Sequence, residues 1–300
     1  MPEALATVVI PTVGRWSRLA LLLKTLIPQL DDSSELVIVV DRDVAVPPGL
    51  RSALQDVPHR FLMRTPPHGR SHARNAGIEA AGSATVLLLD EDMLVAPGWL
   101  KAHMAAQARA PGLVRGEIRE LPPLAAFDDL DTWGGRDESD AVRRRGKRIL
   151  SMALEDFEGC WARFAVASGL QKLADETRDE ASVTWVGFAG ANLGAPQRLL
   201  LERPFDERAG INWGLEDLTL ALRTLRDTGT LTVAEGARAL HLTHPQRGWK
   251  EQQRANVLLL EVLAPPLRAP ALALIEEAGA APQLQVWRAE VARHGGLFDA

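Results

Sequence analysis

Short apolar runs, each closed by polar or turn-forming residues, recur through the first third of the chain. Thr7-Val8-Val9-Ile10 stops at Pro11-Thr12, and Leu36-Val37-Ile38-Val39-Val40 stops at Asp41. A third run spans Arg60 to Arg64, and Ala84-Thr85-Val86-Leu87-Leu88-Leu89 ends in three carboxylates, Asp90-Glu91-Asp92. Continuous aliphatic runs of this length predict strands buried on both faces, as in a parallel sheet. Between them, helices are predicted from about Ser17 to Leu30 and from about Ser71 to Ala81. Strands alternating with helices imply right-handed crossovers, so the pattern predicts an α/β fold with a mostly parallel sheet.

Three of these strands end in polar residues, which places Thr12, Asp41 and Asp90 along one sheet edge. In open α/β sheets that edge, outside the carboxyl ends of the strands, is where ligands bind. Asp90 and Asp92 lie two apart. If the chain bends as it leaves the strand, one or both can hold a divalent cation together with the phosphates of a bound nucleotide. A solvated acidic loop is the alternative.

Four ordered blocks carry a family resemblance: Val9-Ile10-Pro11-Thr12, Val39-Val40-Asp41, the stretch Gly69-Arg70-Ser71-His72-Ala73-Arg74-Asn75-Ala76-Gly77-Ile78, and Leu88-Leu89-Asp90-Glu91-Asp92. Together they resemble glycosyltransferase family 2, whose members have the GT-A fold, a Rossmann-like mixed and mostly parallel sheet flanked by helices. A later segment, Asn212-Trp213-Gly214-Leu215-Glu216-Asp217, is similar to the Trp-Gly-x-Glu-Asp segment of family 2 and of the galactosyltransferase-like branch. That resemblance implies Asp217 as the general base, with Trp213, Gly214 and Glu216 facing the acceptor. The competing reading of Asp217 is an N-terminal helix carboxylate favoured by the helix dipole. Ala239-Leu240-His241-Leu242-Thr243-His244-Pro245 resembles the strand-terminal histidine segment that completes the metal site in this fold. The implied metal set is Asp90, Asp92 and His244, with His241 as the alternative, because residues three apart in a strand point to opposite faces. Imidazole in the set suits Mn²⁺ better than Mg²⁺.

Within this resemblance Pro11 and Thr12 are expected to line the base and ribose, and Asp41 to accept from a uracil N3–H. Arg70 and Arg74 are expected to neutralise the diphosphate through bidentate contacts, with Asp90 and Glu91 beside the donor. A salt bridge to an acid at the same sheet edge is the other reading of Arg74.

Composition narrows the classes. With 300 residues, 46% hydrophobic and 24% charged, the chain is an ordinary globular sequence of one large or two small domains. A net charge of -5 argues against a nucleic-acid binder, since the dense basic cluster Arg143-Arg144-Arg145-Gly146-Lys147-Arg148 is local. The single cysteine, Cys160, leaves no partner for an intramolecular disulfide and points to a reducing, cytoplasmic setting. No apolar stretch approaches the roughly 20 residues of a membrane helix, and the N-terminus has no leader pattern.

The expected organisation is a GT-A catalytic domain over 1–248 and a helical extension over 249–300, broken at Pro265-Pro266 and Pro270 and ending at Gly295-Gly296. Within the first, a long charged and mainly helical insertion over about 116–184 is expected to shape the acceptor pocket. The extension either packs on the catalytic domain or makes a homodimer. The function this predicts is metal-dependent, inverting transfer of a sugar from a nucleotide-sugar, a UDP-sugar above others, to an acceptor hydroxyl of unknown identity. Two rivals use the same residues: a nucleotidyltransferase or phosphotransferase, and a non-catalytic module that only binds nucleotide-sugar. A haloacid-dehalogenase-like phosphatase would require Gly-Thr after the acids, where Met93-Leu94 stand.

Overall fold

The computed structural model describes residues 6–135, 139–180, 182–245, 248–276 and 281–294. Among them nine strands form one sheet: β1 (Ala6–Thr12), β2 (Ser34–Val40), β3 (His59–Met63), β4 (Thr85–Leu89), β5 (Met93–Val95), β6 (Leu113–Glu120), β7 (Val166–Ala167), β8 (Asn192–Pro196) and β9 (Leu231–His241). Their order is β3-β2-β1-β4-β8-β6-β9-β5, with β7 beside β6. The first four are mutually parallel, β8 is antiparallel to both its neighbours, and β6 and β9 run parallel. The mixed, mainly parallel sheet expected from the sequence is therefore present, and the order reverses between β1 and β4. Such a switch point leaves a crevice at the carboxyl ends of the two strands.

Alternation along the strands divides the core. Val9, Val37, Val39, Val86 and Leu88 face one layer, which holds the helices Arg70–Ala80 and Glu216–Thr228. Val8, Ile10, Leu36, Ile38, Leu87 and Leu89 face the other, with the helices Trp16–Leu26 and Trp99–Arg109. The first helix ends at Leu26, earlier than its apolar pattern suggests, because Pro28 converts the next residues into a 3-10 turn, Ile27–Gln29.

The second half departs further from expectation. The insertion is helical over Asp140–Glu155, Phe157–Arg163 and Gly169–Glu176, but it opens with the last five residues of β6 and also contains β7. Around Leu121, Leu124, Phe127, Ile149 and Leu150 it builds a small core of its own, joined to the sheet through Leu94 and Leu240. The C-terminal helices pack into the main core: Leu260, Leu267, Leu274 and Trp287 share it with Leu218 and Leu222, and the Trp287 and Trp185 rings meet edge to face at 5.4 Å. Gly295 and Gly296 lie outside the described residues.

Gly77 sits where the helix Arg70–Ala80 presses on the sheet. A Cβ there would overlap Val9 Cγ1 and come 3.2 Å from Val39 Cγ2, both fully buried. Alanine would gain about 1 kcal/mol of helix propensity, but overpacking costs roughly 1–3 kcal/mol, and rigid β-strands cannot yield easily. Gly77→Ala is therefore expected to lower stability by up to about 2 kcal/mol in urea unfolding, and greater stability would refute this packing argument.

Candidate active site

A cleft of about 1180 Å³ opens at the carboxyl ends of β1, β2 and β4. Its floor is built by backbone continuity: Asp41 N–H donates to Thr12 O at 2.9 Å, which keeps the ends of β1 and β2 level. The buried Asp41 carboxylate then accepts from His68 N at 3.0 Å and from Gly69 N at 2.7 Å, fixing the loop that leads into the helix Arg70–Ala80. Across the switch point Thr12 Oγ1 donates to Glu91, which also accepts from Arg15 N at 3.3 Å. Burial pushes the Glu91 carboxyl up to about 7, with the Thr12 hydrogen bond opposing and the adjacent Asp92 adding to the shift.

Asp92, His241 and His244 gather at one end of the cleft, each offering an atom within 4.8 Å of the others. Asp92 Oδ2 lies 3.5 Å from His241 Nε2 and 3.2 Å from His244 Nε2. Burial would raise the Asp92 carboxyl, but the two imidazoles outweigh it and hold it well below its ordinary range. Glu120 takes the other side of His241, with Oε2 2.6 Å from Nδ1, and is itself held by Thr243 Oγ1 at 2.8 Å. Burial works against charge on His241, yet Asp92 and Glu120 together lift it to about 10. Arg15 Nη1, at 3.7 Å from Asp92 and 3.2 Å from His244 Nε2, supplies further positive charge from a half-exposed position.

The second cluster centres on Arg74. Its guanidinium is buried, donating through Nη1 to Glu216 Oε1 at 3.0 Å and through Nη2 to Asp90 at 2.9 and 3.2 Å. Burial disfavours its charge, but Asp90, Glu216 and Asp217 more than compensate and hold the proton more tightly than usual. Asp217, second residue of the helix Glu216–Thr228, accepts from Gly190 N at 3.1 Å and from Leu218 N at 2.8 Å. Burial and the neighbouring Glu216 raise its carboxyl to about 6, against the pull of Arg74. Arg70 approaches the same Glu216 oxygen at 3.8 Å from a partly exposed position.

Two stretches far apart in sequence wall the cleft. The insertion contributes Ser168, Gly169, Leu170 and Gln171, and the C-terminal segment contributes Trp249, Gln252, Gln253, Ile275 and Glu276.

Residues 7–120 match the pattern of Glycosyl transferase family 2. The chain is similar to that family over about its first 120 residues. The whole fold is GT-A: S. aureus TarS 1-349 in complex with UDP-GlcNAc superposes with a TM-score of 0.53 at 12% identity, covering 96% of this chain and 80% of that one. A mannosyltransferase, PcManGT from Pyrobaculum calidifontis in complex with GDP-Man and Mn²⁺, gives 0.53 at 18% identity over 97% and 74%. GalNAc-T7 with UDP, GalNAc and Mn²⁺ gives 0.60 at 16% identity, with 99% of this chain covering 55% of that one. No curated protein matches in sequence.

All the residues expected at the site line one cleft: Pro11, Thr12, Asp41, Arg70, Arg74, Asp90, Glu91, Asp92, Trp213, Gly214, Glu216, Asp217, His241 and His244. Their pairing differs from the expectation in two respects. Asp90 turns to Arg74 and leaves the histidine cluster, because a buried guanidinium draws the nearest carboxylate. Both histidines face Asp92, because β9 ends at His241 and the bend after it frees His244 from strand alternation. Glu120 was missed; its one signal is an acid closing the run Val114 to Glu120, whose charged residues obscure the strand.

The Arg74 cluster sets an energetic test. Removing one partner from a buried ionic network leaves the others uncompensated, at a cost of about 3–5 kcal/mol. Arg74→Ala is expected to lose that much stability in urea unfolding, with Arg74→Lys restoring only part, since an ammonium cannot fork to Asp90 and Glu216. A loss under about 1 kcal/mol, the range of solvated surface pairs, would contradict the network.

Proposed function

We propose that the chain transfers a sugar from a nucleotide-sugar, most simply a UDP-sugar, to an acceptor hydroxyl with inversion, in a metal-dependent reaction. The observation that carries this reading is one cleft holding both the Asp92-His241-His244 set and the buried Asp217. Structures of the same fold hold UDP-GlcNAc in S. aureus TarS, and GDP-Man with Mn²⁺ in PcManGT.

Two imidazole nitrogens and a carboxylate oxygen form a mixed N/O donor set that fits Mn²⁺ better than Mg²⁺. Glu120 supports the fit. With a cation in place of its Nε2 proton, His241 would keep Nδ1–H donating to Glu120 and Nε2 turned toward Asp92, the carboxylate–histidine arrangement that orients metal ligands. A divalent cation held there would offset the charge that develops on the departing diphosphate.

The chain's own groups do the rest. Asp41 keeps lone pairs beyond the two amides it accepts from, enough to take a uracil N3–H. Arg74 is already matched by carboxylates, whereas Arg70, partly exposed at the cleft and paired with Glu216 only at 3.8 Å, can turn toward the diphosphate. As the acceptor oxygen forms its bond to the anomeric carbon and the nucleoside diphosphate departs, Asp217 takes the acceptor proton. A carboxyl titrating near 6 is a stronger base than an ordinary aspartate and is still mostly ionised at neutral pH.

Two outcomes test this. UDP should bind more tightly with Mn²⁺ than in EDTA, and Asp92→Ala should erase the difference. His241→Ala and His244→Ala should each raise the Mn²⁺ requirement by about 10-fold or more. Undiminished UDP affinity in EDTA would count against the metal.

For the base, Asp217→Asn should retain UDP binding in calorimetry while lowering transfer by about 10²-fold or more. Because the base must be deprotonated, transfer by the parent should rise with pH through about 6 and level off above it. Parental transfer rates in Asp217→Asn would overturn this mechanism.

A further inference from the structure

The C-terminal segment does more than close the cleft; it builds half of a corner there. Trp213 N–H donates to Gln252 Oε1 at 2.9 Å, and Asn256 Nδ2 donates to Gly214 O at 2.7 Å, so the Trp213-Gly214 loop is tied to the segment by backbone on one side and side chains on the other. This brings the Trp249 ring to 6.2 Å from the Trp213 ring at an interplanar angle of 85°. Both indoles are half-buried and line the cleft, and Arg70 lies over the Trp213 ring at 5.8 Å. Ile211, 78% exposed, stands at the same rim.

Beside this corner are two buried acceptors without donors. Gln253 is 8% exposed and Glu216 is 2% exposed; both line the cleft, and among the described residues Gln253 Oε1 and Glu216 Oε2 have no hydrogen-bond partner. A buried acceptor left unpaired is costly, and O–H groups of a ligand would satisfy it. Flat ring faces beside carbonyl and carboxylate oxygens describe a site for a molecule with apolar C–H faces and peripheral hydroxyls.

We propose that Trp249, Gln253 and Glu216 complete, with Trp213, an acceptor subsite for the ring of a neutral sugar, so that the acceptor is a glycoside or oligosaccharide; this rests on the transferase reading above. The wall disfavours the other acceptor classes. Glu216, Asp217 and Glu276 all line it, which repels an anionic acceptor, and the Arg70 charge is shared with Glu216 at 3.8 Å. An acyl chain would need continuous apolar surface, whereas here the Gln252 and Gln253 amides interrupt it.

The test uses the full chain with UDP and Mn²⁺, titrated with cellotriose, chitotriose, maltotriose and dodecyl phosphate, and read by tryptophan fluorescence and calorimetry. At least one trisaccharide is expected to bind, with Trp249→Ala weakening it by about 10-fold or more and Trp249→Phe recovering part of the loss. Gln253→Leu should weaken the same sugar, since it removes the acceptor while keeping the volume. UDP affinity of each variant, measured on the same sample, separates a lost subsite from a lost fold. Binding of dodecyl phosphate with no trisaccharide bound, or no ligand bound at all by a parent that binds UDP, overturns the sugar subsite. Equal sugar affinity in parent and Trp249→Ala removes Trp249 from it. A parent that binds a trisaccharide but not UDP leaves the subsite standing and removes the transferase reading instead.

Discussion

One buried guanidinium fixes the geometry on which the rest of the cleft depends. Arg74 rises from the helix Arg70–Ala80 and binds Asp90 at the end of β4 and Glu216 at the start of the helix Glu216–Thr228. A charge this buried is stable only if its donors are met by acids of fixed position. The pairing therefore locks together three elements that the chain order separates. Gly190 belongs to the same constraint. A Cβ there would come 2.8 Å from Arg74 Cζ, and the Gly190 N–H is a donor to Asp217. Excluding water in this way also raises the Asp217 carboxyl, so packing and basicity have a common origin.

The two sides of the cleft arise differently. The nucleotide side follows from sheet topology: the switch between β1 and β4 makes the crevice, and Thr12, Asp41 and Glu91 stand at its strand ends. It lies within the stretch matching the family pattern, residues 7–120. The opposite wall comes from Ser168–Gln171 and from Trp249 onward, both outside that stretch. A common donor chemistry can thus be kept by the sheet while loops and added helices vary the partner molecule, the usual division between scaffold and site.

Much of the nucleotide side was legible in the sequence, because period-2 burial and strand-end acids are local signals. Thr12, Asp41 and Asp92 could be placed at the cleft from the strand ends they close, and Asp217 from its segment of family resemblance. What was not legible depends on distances that sequence does not encode. Asp90 and Asp92 look equivalent, and only the position of Arg74 separates them. The strand β6 was hidden because its charged residues Arg115, Glu117 and Arg119 suggest an exposed segment, although Arg115 is buried. Trp249 stands in a polar stretch of the sequence, with nothing nearby to pair it with Trp213.

The histidine cluster shows how backbone settles what periodicity leaves open. The Leu242 N–H donates to Asp92 O at 2.8 Å, and Arg18 Nη1 donates to Leu242 O. The acid and the end of β9 are therefore joined by main chain, independently of what their side chains bind. Met93 of β5 pairs with His241 of β9 in the antiparallel ladder, which sets the register of the whole junction. With Glu120 holding one imidazole and the backbone holding the acid, Asp92, His241 and His244 are kept together by contacts of the chain alone. Preorganisation of this kind removes the ordering cost that would otherwise oppose binding. It also explains how an acid comes to lie beside histidines about 150 residues further along the chain.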